Sequence, residues 1–152
     1  MSDPIPIVGR GYYYEDLRPG LRFRTHRRTI AESDLANFVN LTWLTEELFA
    51  VADDSQRALK GRPVPAALVY SCAEGLLLPT MQDTGLAFLN ATLDVKAPTA
   101  VGDTIHVESE VTECRLTSKG DRGLVRFANK VVNQDGRTVL EYNPLRMLKR
   151  KP

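Results

Sequence analysis

Ala66-Ala67-Leu68-Val69-Tyr70-Ser71-Cys72-Ala73-Glu74-Gly75-Leu76-Leu77-Leu78-Pro79-Thr80-Met81 is the stretch on which the fold turns. It is apolar almost all round. A helix without a polar face must be wrapped on several sides by the rest of the chain. Glu74, Gly75 and Pro79 interrupt it, and it falls short of the roughly 20 apolar residues a membrane span needs. The stretch therefore reads as a buried helix at the centre of a soluble fold.

The chain beyond this helix reads as β-structure. Ala87, Leu89, Ala91, Leu93 and Val95 alternate with Phe88, Asn90, Thr92 and Asp94, which predicts a half-buried strand. After a turn over Pro98 to Asp103, Ile105, Val107 and Val111 alternate with His106, Glu108 and Glu110. Lys119-Gly120-Asp121 makes another turn, and Leu124 to Asn133 a long strand. Asp135-Gly136 is the strongest hairpin signal in the chain. A last strand is expected from about Arg137 to Leu148.

Before the helix, Lys60-Gly61-Arg62-Pro63-Val64-Pro65 is a loop. Further upstream, Arg18-Pro19-Gly20 signals a turn and residues 21–30 a strand. Thr29 and Glu32 have capping-box spacing, with Ser33 or Asp34 as alternative caps. Leu35, Phe38, Val39 and Trp43 then fall at helical intervals, and Leu48, Val51, Ala52, Ser55 and Leu59 mark a second helical stretch. Helices first, then a run of antiparallel strands, is an α+β pattern: a long antiparallel sheet around a buried central helix.

Composition bounds the function. A chain of 17.0 kDa has room for one domain, expected to span residues 1–152, and needs no disulfide or metal staple. Lys plus Arg number 20 and Asp plus Glu 19, a net charge of +1. That balance excludes a basic nucleic-acid binder and gives no support to a membrane-surface role. Cys72 and Cys114 lie far apart without a CxxC pair, so they are expected as free thiols of a reducing cytoplasm. The first ten residues lack a signal-peptide core. The basic run from Arg146 to Lys151 is expected to be a solvated tail.

Several strings narrow the reading. Tyr13-Tyr14-Glu15-Asp16-Leu17 with Pro19-Gly20, then Arg28-Thr29-Ile30 and Asp34 to Phe38, resembles the start of MaoC-like dehydratases, which resemble the (R)-specific enoyl-CoA hydratases. Leu93 to Asp103 is similar to the family's signature after the central helix, and Val131 to Gly136 to its closing hairpin. The likeness covers residues 12 to about 148. It implies the hotdog fold and an acyl-CoA or acyl-carrier thioester as substrate; no cofactor and no metal are expected. It also implies an Asp and a His acting on one water, with a backbone N–H at the start of the central helix polarising the thioester oxygen. The family's Asp/His string is not matched here. Trp43 falls where its Gly belongs, Leu44 where its Asp belongs and Phe49 where its His belongs, while Pro65-Ala66 replaces the His-Gly before the central helix.

Glu46 and Glu47 stand in the replaced segment. Each is a candidate general base or nucleophile toward a thioester, against the plainer reading of exposed acids after Thr45 at a helix start. Thr42, Trp43 and Thr45 on one side and Pro65, Ala66 and Ala67 on the other are expected to border the thioester. Trp43 and Phe49 close that pocket or belong to the core. His26 and His106 are expected to be exposed, and Asp53-Asp54 to be solvated at a helix end. Three functions remain: a hydratase or dehydratase with a rearranged site, a thioesterase using Glu46 or Glu47, and a non-catalytic thioester-binding subunit. Assembly as a homodimer or larger oligomer is expected, or as a heteromer with an active paralogue.

Overall fold

The computed structural model describes residues 4–53 and 61–152. The expected helical positions Ser55 and Leu59, together with Asp54 and Lys60, lie outside the described residues. In chain order the elements are β1 (Arg22–Arg24), β2 (Arg28–Thr29), α1 (Glu32–Thr42), α2 (Glu47–Ala50), α3 (Ala66–Leu76), β3 (Gly85–Asn90), β4 (Leu93–Val95), β5 (Thr104–Leu116), β6 (Arg122–Val132), β7 (Thr138–Tyr142) and β8 (Leu145–Lys149). The strands form one antiparallel sheet in the order β1-β5-β6-β7-β4, with β2 on β5, and β8 lying between β6 and β3.

The centre of that sheet is the long hairpin β5–β6, in which Val107 faces Val131 and Val111 faces Phe127. Strict alternation drives it. Ile105, Val107 and Val111 are fully buried, while His106, Glu108 and Glu110 point to the other face. Against the buried face lies α3, contributing Leu68, Val69, Cys72 and Ala73 to a core with Ile105, Val107, Val131 and Leu140. Each large aliphatic side chain so buried contributes roughly 1.5–3 kcal/mol. A smaller cluster of Leu17, Val111, Val125, Phe127 and Leu148 fills the other end. The expected α+β hotdog arrangement, a sheet wrapped on the 66–76 helix, is what the chain adopts.

Local chemistry corrects several boundaries. Strand 21–30 is two short strands, because only Arg22–Arg24 and Arg28–Thr29 pair with β5. Pairing of Arg28 and Thr29 moves the cap of α1 to Ala31, which has no side-chain acceptor. Asp34 supplies half of a capping box instead, accepting the Ala31 N–H at 2.8 Å and the Arg28 guanidinium at 2.7 Å. The described part of the second helical stretch is a single turn, and Val51–Asp53 are not helical.

The last expected strand is broken at Asn143-Pro144. Pro144 has no N–H for the ladder, so β6 pairs with β7 up to Asn129↔Tyr142 and with β8 from Arg126↔Leu145. The Asp135-Gly136 turn forms as expected: Gly136 takes φ 77°, and the Asn133 side chain accepts from the N–H groups of Asp135 and Arg137, each at 3.0 Å. In β6, Gly123 lies under the Tyr14 ring, in space a Cβ would need.

Two larger corrections concern exposure. The single half-buried strand expected over Ala87–Val95 is instead two strands, β3 on β8 and β4 on β7, and every residue of both is exposed, because each lies at the outer edge of the sheet. The basic segment is not a loose tail either. Arg146 is only 7% exposed and belongs to β8, while Lys149, Arg150 and Lys151 pair with Asp83, Glu15 and Asp16.

Candidate active site

The residues expected to border a thioester fall into two groups. Pro65 is buried and caps α3 with an extended backbone (φ −57°, ψ 139°). Its carbonyl accepts the N–H groups of Leu68 at 2.9 Å and Val69 at 3.2 Å. The N–H groups of Ala66 and Ala67 have no acceptor among the described residues, as the first turn of a helix dictates. Ala66 is half-buried and lines a cavity of about 90 Å³ with Val64, Val69, Val95, Thr99 and Leu140. The walls are nearly all apolar. Ala67 is exposed.

The second group sits on the segment from α1 to α2. Thr42 ends α1, its hydroxyl donating to the Phe38 carbonyl at 2.7 Å. Trp43 follows in the left-handed region at φ 59° with its side chain 86% exposed, so it is neither core nor part of α1's apolar stripe. Thr45 donates its N–H to the Trp43 carbonyl at 2.7 Å. Glu46 is exposed and caps α2, its carboxylate accepting the Leu48 N–H at 2.7 Å; Glu47 is exposed in the first turn. Both acids have the helix-start arrangement of the plainer reading. Leu44 is exposed, whereas Phe49 packs against the main core.

Arg62 connects the two groups. It lies just before α3, donates to the Phe49 carbonyl and pairs with Glu32 at the start of α1. Thr42–Glu47 do not line the Ala66 cavity. Its far walls come from Val95 of β4 and Val139 and Leu140 of β7. A separate groove of about 270 Å³ lies between α1 and α3, bordered by Arg28, Asp34, Phe38, Leu41, Leu68 and Ser71.

A polar cluster under α3 had no marker in the sequence beyond the interruption at Glu74. Arg146 reaches in from β8 and holds both oxygens of Glu74 at 2.8 Å, with its guanidinium carbon 5.3 Å from the Phe88 ring centre. Tyr70 packs edge-on to Tyr142 at 4.9 Å. Burial, aided by the Glu74 carboxylate, pushes the Tyr142 phenol well above its ordinary pKa. Beside it, the Ser109 hydroxyl donates to Asn129 at 2.6 Å. Ser109 and Asn129 lie on β5 and β6 between the residues of the two apolar clusters, and arginine-bound Glu74 is no free base.

The histidines stay apart. His26 is exposed; His106 is half-buried and 3.1 Å from Glu108, a correction to its expected exposure. Cys72 and Cys114 are free thiols, and burial raises the pKa of both. Among the described residues no cluster of three His, Cys, Asp or Glu is placed to hold a metal, and no helix is long and apolar enough to cross a membrane.

A sheet wrapped on α3, with free N–H groups at the helix start beside an apolar cavity, defines a hotdog-fold chain whose solved neighbours are MaoC-like dehydratases and (R)-hydratases. A MaoC domain dehydratase from Chloroflexus aurantiacus superposes with a TM-score of 0.89 at 26% identity, over 97% of this chain and 43% of that one. An R-hydratase from Pseudomonas aeruginosa gives 0.76 at 25% identity, over 91% and 86%. A Mycobacterium tuberculosis protein with a double hotdog fold gives 0.80 at 23% identity, over 97% and 46%. No protein-family model and no curated protein matches the sequence.

Proposed function

We propose that this chain is a single-domain MaoC-like hydratase or dehydratase homologue that binds acyl-CoA or acyl-carrier thioesters at the start of α3, with a non-standard site and little or no hydration. The observation that carries the reading is the pair of unpartnered N–H groups on Ala66 and Ala67 beside the Ala66 cavity, in a chain with an R-hydratase neighbour. A thioester oxygen suits those donors. The site works in the cytoplasm, in keeping with two free cysteines, and in an assembly of at least two hotdog units.

Weak turnover is the consequence of side-chain chemistry. General acid–base groups contribute about 10²–10⁴-fold each. Leu44 and Phe49 supply neither water activation nor α-carbon protonation. Glu46 is occupied as a helix cap, and Glu47 lies exposed beside it. A partner role alongside an active paralogue is favoured over a thioesterase for that reason.

Crotonyl-CoA tests all three functions at once. Enoyl absorbance tracks hydration, free thiol tracks hydrolysis, and calorimetry tracks binding. Binding without either reaction is expected. Hydration at enzymatic rates, undiminished in Glu46→Gln/Glu47→Gln, would overturn the reading, and thiol release abolished by that variant would select the thioesterase.

A further inference from the structure

Apart from Tyr142, the buried polar side chains among the described residues are Thr84, Thr99, Ser109, Asn129 and Arg146. Ser109 is bonded to Asn129, and Arg146 to Glu74. The two threonine hydroxyls have no partner among the described residues. They differ in what surrounds them. Thr84 Oγ1 is sealed inside the fold. Thr99 is 4% exposed and lines the Ala66 cavity, whose other walls are valine, alanine, proline and leucine.

A hydroxyl buried without a partner forfeits the hydrogen bonds that water gave it. Valine has the same branched shape without that cost, and the neighbouring walls already use it. The backbone at Thr99 is fixed. Its carbonyl accepts the Val64 N–H at 2.8 Å, and the Asp103 carboxylate accepts the N–H of the next residue, Ala100, at 2.9 Å. Val64 stands just ahead of α3, so the first bond ties Thr99 to the wall that carries Ala66. A lone oxygen held in an apolar cavity is a contact waiting for a polar atom of whatever fills it.

We infer that Thr99 is the specificity-determining contact of the Ala66 cavity, selecting a short acyl group that carries a hydroxyl beyond its thioester carbon. The inference rests on the thioester reading. Cavity size sets the length: about 90 Å³ holds roughly three groups of water size at ~30 Å³ each. That is the end of a four-carbon acyl chain, two carbons and an oxygen, with the thioester at the helix start. The ligand hydroxyl then donates to Thr99 Oγ1 or accepts from it, and both oxygens are paired. A plain alkyl chain expels water and leaves the Thr99 oxygen unpaired, which is how a polar group in a pocket rejects the analogue that lacks its partner. Thr99 follows β4 and lies outside the segment Thr42–Glu47, so it sorts ligands without taking part in acid–base chemistry.

Calorimetry with 3-hydroxybutyryl-CoA, 4-hydroxybutyryl-CoA and butyryl-CoA tests the inference. At least one hydroxylated thioester is expected to bind about tenfold tighter than butyryl-CoA. Thr99→Val is expected to abolish the difference, and Thr99→Ser, which keeps the oxygen, to retain it. Without ligand, Thr99→Val should melt at or above the wild-type temperature, because it loses only an unpartnered oxygen. A lowered melting temperature means that the hydroxyl already has a partner inside the chain, and it overturns the inference. So does a preference that survives Thr99→Val. Binding of all three thioesters without preference sinks this inference and leaves the thioester reading standing, whereas binding of none sinks that reading and this inference with it.

Discussion

Replacing Arg146 with Met tests the polar cluster under α3. The guanidinium side chain is 9% exposed and the Glu74 carboxylate 24%. Arg146→Met removes two charge-assisted hydrogen bonds of 2.8 Å and leaves the half-buried Glu74 carboxylate without its counter-charge. Removing one partner of a buried pair costs about 3–5 kcal/mol. Water reaches the quarter-exposed carboxylate, which places this case near ~3 kcal/mol with the cation–π contact to Phe88 included. For a chain of this size that is a Tm lower by about 6–12 °C. Removing both charges, in Glu74→Met/Arg146→Met, should recover most of the loss, since apolar replacement of a buried pair is often neutral. Denaturant melts of both single variants and the double variant complete the cycle. A single-variant loss under about 1 kcal/mol, or a double variant no better than the summed singles, would refute the reasoning.

Gly123→Ala sets a methyl group against the Tyr14 ring and should cost about 1–3 kcal/mol; a melt showing no loss means that the ring moves aside freely. Ala66→Pro removes one donor while keeping the fold, because proline suits the first helical position and Pro65 already has the extended backbone required before it. Calorimetry should find weaker acyl-CoA binding at an unchanged Tm, and equal affinity would move the thioester elsewhere. At the C-terminus, the Lys151 backbone N–H and the Arg150 side chain lower the Glu15 pKa below its ordinary 4.5, and the Lys151 side chain lowers that of Asp16 below 3.8. Depressed carboxylates stabilise fully above those ordinary values and lose the contribution as pH falls through the lowered ones. Asp16 in turn raises the Lys151 pKa above 10.5, so that contribution is present below 10.5 and lost as pH rises through the raised value. Amide exchange corrected for intrinsic rate should show the tail held at neutral pH and progressively released as the pH falls below the ordinary 3.8 of an aspartate; protection that never falls on acidification means that these pairs do not hold it.

What could be read from the sequence was what depends on one chain segment at a time. The apolar run from Ala66 to Met81 calls for a buried helix, and alternation along 104–132 for a two-faced strand; both are local, and the strand requirement is met. The helix ends at Leu76 and buries Leu68, Val69, Cys72 and Ala73 but leaves Ala67, Ser71 and Gly75 exposed. Exposure at 85–95 was misjudged because a central strand and an edge strand alternate alike. Burial there depends on what lies beyond the edge, and among the described residues nothing does. Arg146 was misjudged for a related reason. A basic run reads as solvated until a buried carboxylate 72 residues away is known to face it.

Of the candidate site, only the helix start that carries the backbone donors was legible as structure. Unpartnered N–H groups at the start of a helix are set by helix geometry, whatever the side chains, so Pro65-Ala66-Ala67 could be placed by finding the helix. Side-chain roles have no such guarantee. Thr42, Glu46 and Glu47 are polar residues in the segment where the related strings would put catalysis, yet Thr42 and Glu46 spend their oxygens on backbone within four residues. A polar side chain at a helix end satisfies local hydrogen bonds first, and it becomes available to a substrate only if another group takes over that duty. No other described group takes over the Leu48 N–H from Glu46, so recruiting that carboxylate as a base uncaps α2. The donors of α3 carry no such cost. On the proposed reading, binding of a thioester oxygen is therefore the step that costs the fold least, and water activation by Glu46 the step that costs it most.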